Sequence, residues 1–562
     1  MEDTITTLKE MKVAIIGSGN IGRSFAMCFA ASGYKVSMYD IDYSQLHGAM
    51  KDIKERLEEL EKSGLLRGSL TITQQLQRIT ATDDFTGCVQ GAFFIQTNPP
   101  FYVPLVEIVP APWTDKEVTK RVTDLMKEIG QSPVTIKKEI DGFALNRIKG
   151  AIAGECWRLI EEDVISVEDI DKVMTDGLGR RYAFMGPLET AYLNADGFYS
   201  YADRYAEMIY SIQKGLGPIV KQEGELLERV QSELEAKIPM DKLKEQRQWR
   251  DIRLAGLGLI GRSFAMLFAA AGYQVKIYDI EASQITHALS DIWQQLIELQ
   301  KIGLLRGSLS IEEQHKRIEG TNDITECAKG AFFVIECVPE RIELKTGVHA
   351  KIDPVVSDTT IIASSASALI PSKISQNLKH RNRFIVVHPT NPPFYAPLVE
   401  LVPSPWADSD VVPKTKALVE EIGQSPVVLK KEKEGFVLNR IQYSIIKECF
   451  NLVKDDIISV EDVDKVMSEG LGRRYAFIGQ METDYLNADG MRDHSKKFAE
   501  MSYRLQKSFK PPIKMEGEIL DKIHKDIEKR IPLDKLQERR RWRDKRLAAL
   551  EKMIRTMGKK TY

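Results

Sequence analysis

Apolar residues along this chain fall either in short unbroken blocks or at three- and four-residue intervals. Val13 to Ile16 is such a block, and it reads as a strand buried on both faces. The turn "GSGNIG" follows, then "RSFAMCFAASG" with a helical pattern, then the strand "KVSMYD". Strand, glycine turn, helix and strand in this order make half of a parallel α/β layer. Further on, "AFFVIE", "TIIA" and "RFIVV" are apolar runs of strand length. "RIKGAIAGECWRLIEEDV" and "RIQYSIIKECFNLVKDDI" instead carry their apolar residues at helical spacing. "SVEDIDKVM" and "SVEDVDKVM" each start a helix with a Ser cap and acids in the first turn.

The patterns come in pairs because the chain repeats itself. "IGRSFAMCFAASGYKVSMYDI" returns as "IGRSFAMLFAAAGYQVKIYDI", which takes Asp40 onto Asp279 at an offset of 239. "DGFALNRI" returns as "EGFVLNRI", which takes Asn146 onto Asn439 at an offset of 293. The offsets differ by 54, so residues 336–389 have no counterpart in copy one. A period this long marks a duplicated enzyme unit; solenoid repeats run about 20–50 residues. A second break lies at the junction. Copy two ends in "RRRWRDKRLAALEK", so "RQWRDIRLA" reads as the tail helix of copy one, running straight into "GLGLIG" without a fresh strand. The expected fold is therefore two tandem α/β Rossmann-type domains, each followed by an all-α domain. The expected boundaries are 1–141 (truncated dinucleotide-binding domain), 142–250 (helical), 251–434 (dinucleotide-binding, first strand compromised) and 435–562 (helical).

The glycines define the first candidate site. In copy one Gly17 permits the tight turn, Gly19 lets the backbone approach a pyrophosphate, and Gly22 allows close helix–strand contact. The helix start aims N–H groups at the phosphates. Asp40 lies 21 residues past Gly19, the spacing of a ribose-binding carboxylate, and an acid there favours NAD over NADP. Copy two repeats this set as Gly256, Gly258, Gly261 and Asp279. Its upstream strand has to be "IRLA", with Arg253 where Ala14 stands, and burying an unpaired guanidinium costs several kcal/mol. The expectation is a frayed strand or one borrowed from elsewhere. The competing outcome is that Arg253 snorkels, or the strand shortens, and binding survives.

The second candidate site lies in and just after the block that copy one lacks. "RFIVVHPTNPP" is a strand delivering His388 into a rigid, Pro-rich turn, with Glu400 twelve residues on. The chain has only eight histidines. His388 is a candidate general base and Glu400 a candidate partner for its other ring nitrogen. The spacing alone fits a structural turn histidine equally well.

Composition narrows the classes. The 562 residues include 79 Lys and Arg against 81 Asp and Glu, a net charge of −2, so neither a nucleic-acid nor an anionic-membrane surface is implied. No apolar stretch reaches 18 residues, and the acidic start "MEDTITTLKE" has no signal-peptide core. The six cysteines form no CxxC and no Cys/His cluster, which points to reduced core thiols in the cytoplasm and to no metal site.

"ECVPE", "SSASALIPSK", "HPTNPPFYAPLVELVP", "GFVLNRIQY" and "SEGLGRRYAFIG" together resemble the 3-hydroxyacyl-CoA dehydrogenase family, closest to its lambda-crystallin branch of L-gulonate 3-dehydrogenases. The resemblance covers essentially the whole chain, twice. It implies a catalytic Ser367, His388, Glu400 and Asn439. It implies cofactor contacts at Leu259, Ile260, Asp279, Glu340 and Lys345, with Asn391 beside the nicotinamide; Asn20 and Ile21 stand at the Leu259 and Ile260 positions in copy one. Copy one keeps Glu107, Asn146 and Asn98 but has no equivalent of Ser367, His388, Glu340 or Lys345, so it is expected to be catalytically dead and imperfectly folded. The implied reaction is NAD-dependent oxidation of the 3-hydroxyl of L-gulonate or a similar 3-hydroxy acid in copy two. The alternatives are a 3-hydroxyacyl-CoA dehydrogenase and a non-catalytic, NAD-binding crystallin-like protein. The resemblance also implies dimerisation through the helical domains, here as an intramolecular pseudo-dimer or a homodimer. Arg473 or Arg474 of "GLGRRYAF" is a candidate for a sugar-acid carboxylate beside a plain structural role.

Overall fold

The computed structural model describes residues 12–62, 64, 66–96, 104–195, 197–216, 251–255, 258–486 and 491–509, with 532–535, 538 and 553. The chain divides into two compact units, Met1–Ala144 with Asp456–Gly470, and Leu145–Asp455 with Leu471–Tyr562.

In the first unit the apolar block forms β1 (Lys12–Ile16), whose Val13, Ala14 and Ile15 are almost wholly buried. β1 is flanked in parallel by β2 (Lys35–Tyr39) and β4 (Ala92–Gln96), and β3 (Ile79–Thr82) pairs with β2. The order β3-β2-β1-β4 is the first part of a doubly wound sheet. β5 (Leu105–Ile108) and β6 (Ser132–Thr135) form a separate two-stranded sheet. The expected defect of copy one thus takes a definite form. The missing block would have supplied the strands between β4 and β5, so the sheet is in two pieces. The pieces still share one apolar core, in which Ile108, Leu125 and Met126 join Val13, Phe25 and Val36.

The second unit contains an eight-stranded sheet of order β14-β13-β12-β11-β10-β7-β8-β9. Its strands are β7 (Asp251–Ala255), β8 (Gln274–Tyr278), β9 (Ile318–Thr321), β10 (Phe333–Glu336), β11 (Ile361–Ser364), β12 (Phe384–Pro389), β13 (Leu398–Pro403) and β14 (Ser425–Val428). From β9 to β12 this is the 3-2-1-4-5-6 order of dinucleotide-binding folds, with its switch point between β7 and β10. Only β12 and β13 run antiparallel. β12 is buried along its whole length, its apolar run Phe384 to Val387 leading into His388.

β7 corrects two expectations. Asp251–Ala255, read as the end of a tail helix, is a strand. It is neither frayed nor borrowed, since Arg253 stands in register with Val334 on one side and Lys276 on the other. Parallel neighbours on both flanks pair its backbone groups, and that ladder holds a strand whatever side chain one position carries.

The helices Leu145–Glu161 of copy one and Leu438–Lys454 of copy two pack together in this second unit. Buried charges cross between them: Arg147 Nε to Glu448 Oε1 at 2.5 Å and Arg440 Nε to Glu155 Oε1 at 2.7 Å. The helical part of copy one also reaches β14 of copy two. The Lys430 amide donates to the Val164 carbonyl at 2.8 Å, and the Lys430 ammonium pairs with Asp163 at 2.7 Å. In the first unit the same pairing recurs with the copies exchanged, Lys137 donating to the Ile457 carbonyl at 2.7 Å and pairing with Asp456 at 2.7 Å.

Candidate active site

The antiparallel register of β12 and β13 sets His388 directly opposite Glu400. The imidazole Nδ1 lies 2.7 Å from Glu400 Oε2. With a carboxylate as acceptor, Nδ1 carries the proton in the neutral ring and Nε2 is left with its lone pair. Nε2 makes no hydrogen bond among the described residues. Glu400 is fully buried, and its second oxygen accepts the backbone N–H groups of Val437 and Leu438 at 2.8 and 3.0 Å. It therefore joins the candidate base to the start of the helix that carries Asn439. Phe436, at φ +51°, turns the chain into that helix and places its ring 5.6 Å from the imidazole. A bulky residue in the left-handed region is uncommon and is held there by its surroundings.

Asn439 Nδ2 donates to the Ser367 carbonyl at 2.6 Å. The loop bearing Ser367 is fixed from its other side by Glu340, one oxygen of which accepts the N–H groups of Ser367, Ala368 and Leu369 at 2.9, 2.9 and 3.1 Å. The Ser367 hydroxyl has no hydrogen-bond partner among the described residues. His388, Glu400, Ser367 and Asn439 are thus drawn into one hydrogen-bonded neighbourhood although they come from four separate stretches of sequence.

Lys345 is 1% exposed, and its ammonium is directed inward at Glu336 Oε1 (3.0 Å) and the Val338 carbonyl (3.1 Å), with Glu340 Oε2 at 3.5 Å. Glu336 is fully buried at the end of β10, bonded by the Ser364 hydroxyl at 2.6 Å, with His349 Nε2 3.3 Å away. Burial pushes the Glu336 carboxyl up, but His349, Lys345 and Ser364 outweigh it and hold its pKa at about 2. This tetrad escaped sequence reasoning. The one signal was an acid closing the otherwise apolar run "AFFVIE".

At the switch point Gly258 precedes the helix Leu259–Ala270, and no side chain caps that helix. A Cβ built on Gly258 would meet nothing within 4 Å, so the helix start faces open space of the kind a pyrophosphate fills. Leu259 and Ile260 open the helix, Gly261 lies in its first turn, and Asp279 follows β8. Gly256 lies outside the described residues. Asn391, just after β12, has a buried Oδ1 without a hydrogen-bond partner among the described residues, and the carboxamide of a nicotinamide carries donors of the kind it lacks. These residues fit a dinucleotide.

Copy one builds the same turn. Gly17 has φ +101°, and a Cβ on Gly22 would lie 1.8 Å from the Gly17 carbonyl oxygen, so both positions need glycine. Asn20 and Ile21 open its helix. Asp40 is already engaged, since Ser18 donates to its Oδ2 through both amide and hydroxyl at 2.7 Å. In copy two Leu257 stands at the Ser18 position and offers no hydroxyl. Glu107 keeps half of the Glu400 role by accepting the Ala144 N–H at 2.7 Å. Asn146 is exposed, and Asn98 lies outside the described residues.

The family model for the 3-hydroxyacyl-CoA dehydrogenase NAD-binding domain matches residues 12–97, 93–140 and 251–433, and the model for the C-terminal domain of that family matches 142–222 and 435–521. Rabbit (Oryctolagus cuniculus) lambda-crystallin is 47% identical over 309 residues, 55% of this chain and 97% of that protein. The Homo sapiens lambda-crystallin homolog is 46% identical over 302 residues, 53% of this chain and 95% of its own length. L-carnitine dehydrogenase of Pseudomonas sp is 30% identical over 306 residues, 54% of this chain and 92% of that protein. NAD is the cofactor that these domains bind. A split glycine-turn sheet, a complete one and two helical domains in alternation make this chain a tandem, lambda-crystallin-like member of the 3-hydroxyacyl-CoA dehydrogenase family.

Proposed function

We propose that this chain oxidises the 3-hydroxyl of L-gulonate or a similar small 3-hydroxy acid, with NAD, at the site in copy two. The observation that carries the reading is the His388–Glu400 pair, at 2.7 Å and opposite in register. His388 Nε2 takes the alcohol proton, and Glu400 stabilises the imidazolium that forms. The Ser367 hydroxyl and the Asn439 amide hydrogen-bond the substrate oxygen as charge develops on it. Glu340 keeps the Ser367 loop in place. NAD, when bound, would supply the hydride acceptor; Gly256, Gly258, Leu259, Ile260, Gly261 and Asp279 would hold its adenosine and pyrophosphate half, and Glu340, Lys345 and Asn391 would serve its nicotinamide half.

Copy one is catalytically silent on this reading. Its Gly17, Gly19, Asn20, Ile21, Gly22 and Asp40 retain a cofactor turn, but nothing in it corresponds to His388. The helical domains act as an intramolecular pseudo-dimer, which the Arg147–Glu448 and Arg440–Glu155 pairs support. A cytoplasmic setting fits six free cysteines, five of them buried. No helix among the described residues is long and apolar enough to cross a membrane.

Small free 3-hydroxy acids are preferred because the lambda-crystallins, the branch whose resemblance implies L-gulonate, stand at 46–47% identity, and a relative named for L-carnitine, a small 3-hydroxy acid, stands beside them. The family models favour a second substrate class, 3-hydroxyacyl-CoA thioesters. Initial rates of NAD reduction by the purified chain with L-gulonate and with a 3-hydroxyacyl-CoA separate the two. Faster turnover of the thioester would refute the preferred substrate.

A further inference from the structure

A cavity of about 240 Å³ opens between the paired helices Leu145–Glu161 and Leu438–Lys454, wholly within the second unit. Leu216 of copy one and Phe509 of copy two, equivalent positions just past the helices Gly197–Lys214 and Met491–Lys507, also reach its wall. The volume equals the share of roughly eight waters, which admits a small molecule and excludes a nucleotide.

Copy one makes the space and copy two supplies the charge. The offset of 293 takes Gly150, Ala151 and Gly154 of copy one onto Tyr443, Ser444 and Lys447 of copy two. The small residues let the helices approach, and the Ser444 hydroxyl donates to the Ala151 carbonyl at 3.2 Å across the pair. A Cβ on Gly154 would lie 2.5 Å from Gln506 Oε1, so a larger residue there requires Gln506 to move. Lys447 thus faces a space that its own counterpart, a glycine, leaves open.

Each carboxylate at the wall already has a cation. Glu448 is bonded by Arg147 at 2.5 Å. Glu155 is bonded by Arg440 at 2.7 Å and by Arg158, which also pairs with Glu162 at 2.6 Å. Two ammonium groups are left over. Lys447 is partly buried and makes no hydrogen bond or ion pair among the described residues. The Lys507 ammonium lies 4.4 Å from the centre of the Tyr503 ring and pairs with no carboxylate among the described residues. Burial pushes the Lys447 pKa down, and only Glu448 opposes this; burial also pushes Glu448 up in spite of Arg147. An ammonium drawn out of water without a partner is costly, and an anion beside it removes that cost.

We propose that this cavity binds a compact dianion rich in oxygen acceptors, a sulfate-like oxyanion or a short dicarboxylate, with Lys447 as its principal partner and the exposed Lys507 as its second. The site needs both copies, one for its shape and one for its charge. It stands apart from the dehydrogenase reading, since none of its residues belongs to the His388 site.

The test is calorimetric titration of the full chain with sulfate and with succinate at fixed ionic strength, with and without excess NADH to occupy the glycine turns. At least one of the two anions should bind at one site per chain whether or not NADH is present. Lys447→Gln should weaken that binding about ten- to a hundred-fold, as for one charge-assisted hydrogen bond. Lys447→Arg should recover part of the loss. Lys507→Gln should weaken binding only a few-fold, because its ammonium is exposed. Lys351→Gln, at an exposed position of the helix Ile342–Ile352, should behave as wild type. Without anions Lys447→Gln should melt no lower than wild type, because the lysine has no partner to lose. Sulfate binding alone assigns an oxyanion, and succinate binding alone a dicarboxylate. The proposal is overturned if neither anion binds, if NADH abolishes the binding, if Lys447→Gln leaves it unchanged, or if Lys447→Gln melts lower than wild type without anions.

Discussion

Glu155 is the place to perturb the packing of the two copies. Its side chain is 4% exposed, Arg440 opposite it is 2% exposed, and Arg158 beside it is 4% exposed. Burial pushes the Arg440 pKa down; Glu155 is the largest influence opposing this, and Arg158 acts with burial. Glu155→Gln keeps the shape and removes the charge, leaving two guanidinium groups close together. Breaking a buried pair in this way costs about 3–5 kcal/mol. Arg158 retains Glu162 at 2.6 Å, and Arg440 retains the Glu434 and Gly215 carbonyls at 3.1 and 2.5 Å. The lower end, about 3 kcal/mol, is therefore expected. The assay is urea unfolding of wild type, Glu155→Gln, Arg440→Met and the apolar double variant Glu155→Leu/Arg440→Met. The double variant should recover part of the loss, because Arg440 is then gone while Arg158 keeps only Glu162. A Glu155→Gln chain within about 0.5 kcal/mol of wild type would refute the reasoning, since surface changes behave that way.

Three further predictions concern the sheet and its cofactor. Glu336 ionises below its ordinary value of 4.5, at about 2, so its contribution is present above pH 4.5 and is lost as pH falls through 2. The stability gap between wild type and Glu336→Gln should narrow by about 3 kcal/mol between pH 5 and pH 2, and a gap independent of pH contradicts the tetrad. Asp279→Ala should lose about ten-fold in NADH affinity by fluorescence titration, as expected for one charge-assisted contact. Asp40→Ala should leave turnover unchanged, and the opposite ranking would place the working cofactor site in copy one.

Much of this was legible in the sequence because it lies in local order. Strand, glycines, helix, strand and acid are consecutive, and the 54-residue difference in offsets locates the gap that splits the sheet of copy one. His388 and Glu400 were legible as candidates, but their pairing depends on an antiparallel register between β12 and β13 that spacing does not fix. β7 was misread because Arg253 looked incompatible with a buried strand, whereas the neighbours that pair its backbone come from residues 274–278 and 333–336. The contact between Lys345 and Glu336 was not legible, because it is set by how the chain turns after β10. Contacts between the copies, such as Arg181 with Gln442, span 261 residues and leave no local trace.

The most direct measurement is NAD reduction with L-gulonate by wild type and by His388→Gln, with NADH binding followed in parallel. Wild type should turn over, and His388→Gln should lose about 10²–10⁴-fold in kcat while binding NADH as before. Turnover by His388→Gln within a few-fold of wild type would show that proton removal occurs elsewhere, and the active site in copy two would fall with it.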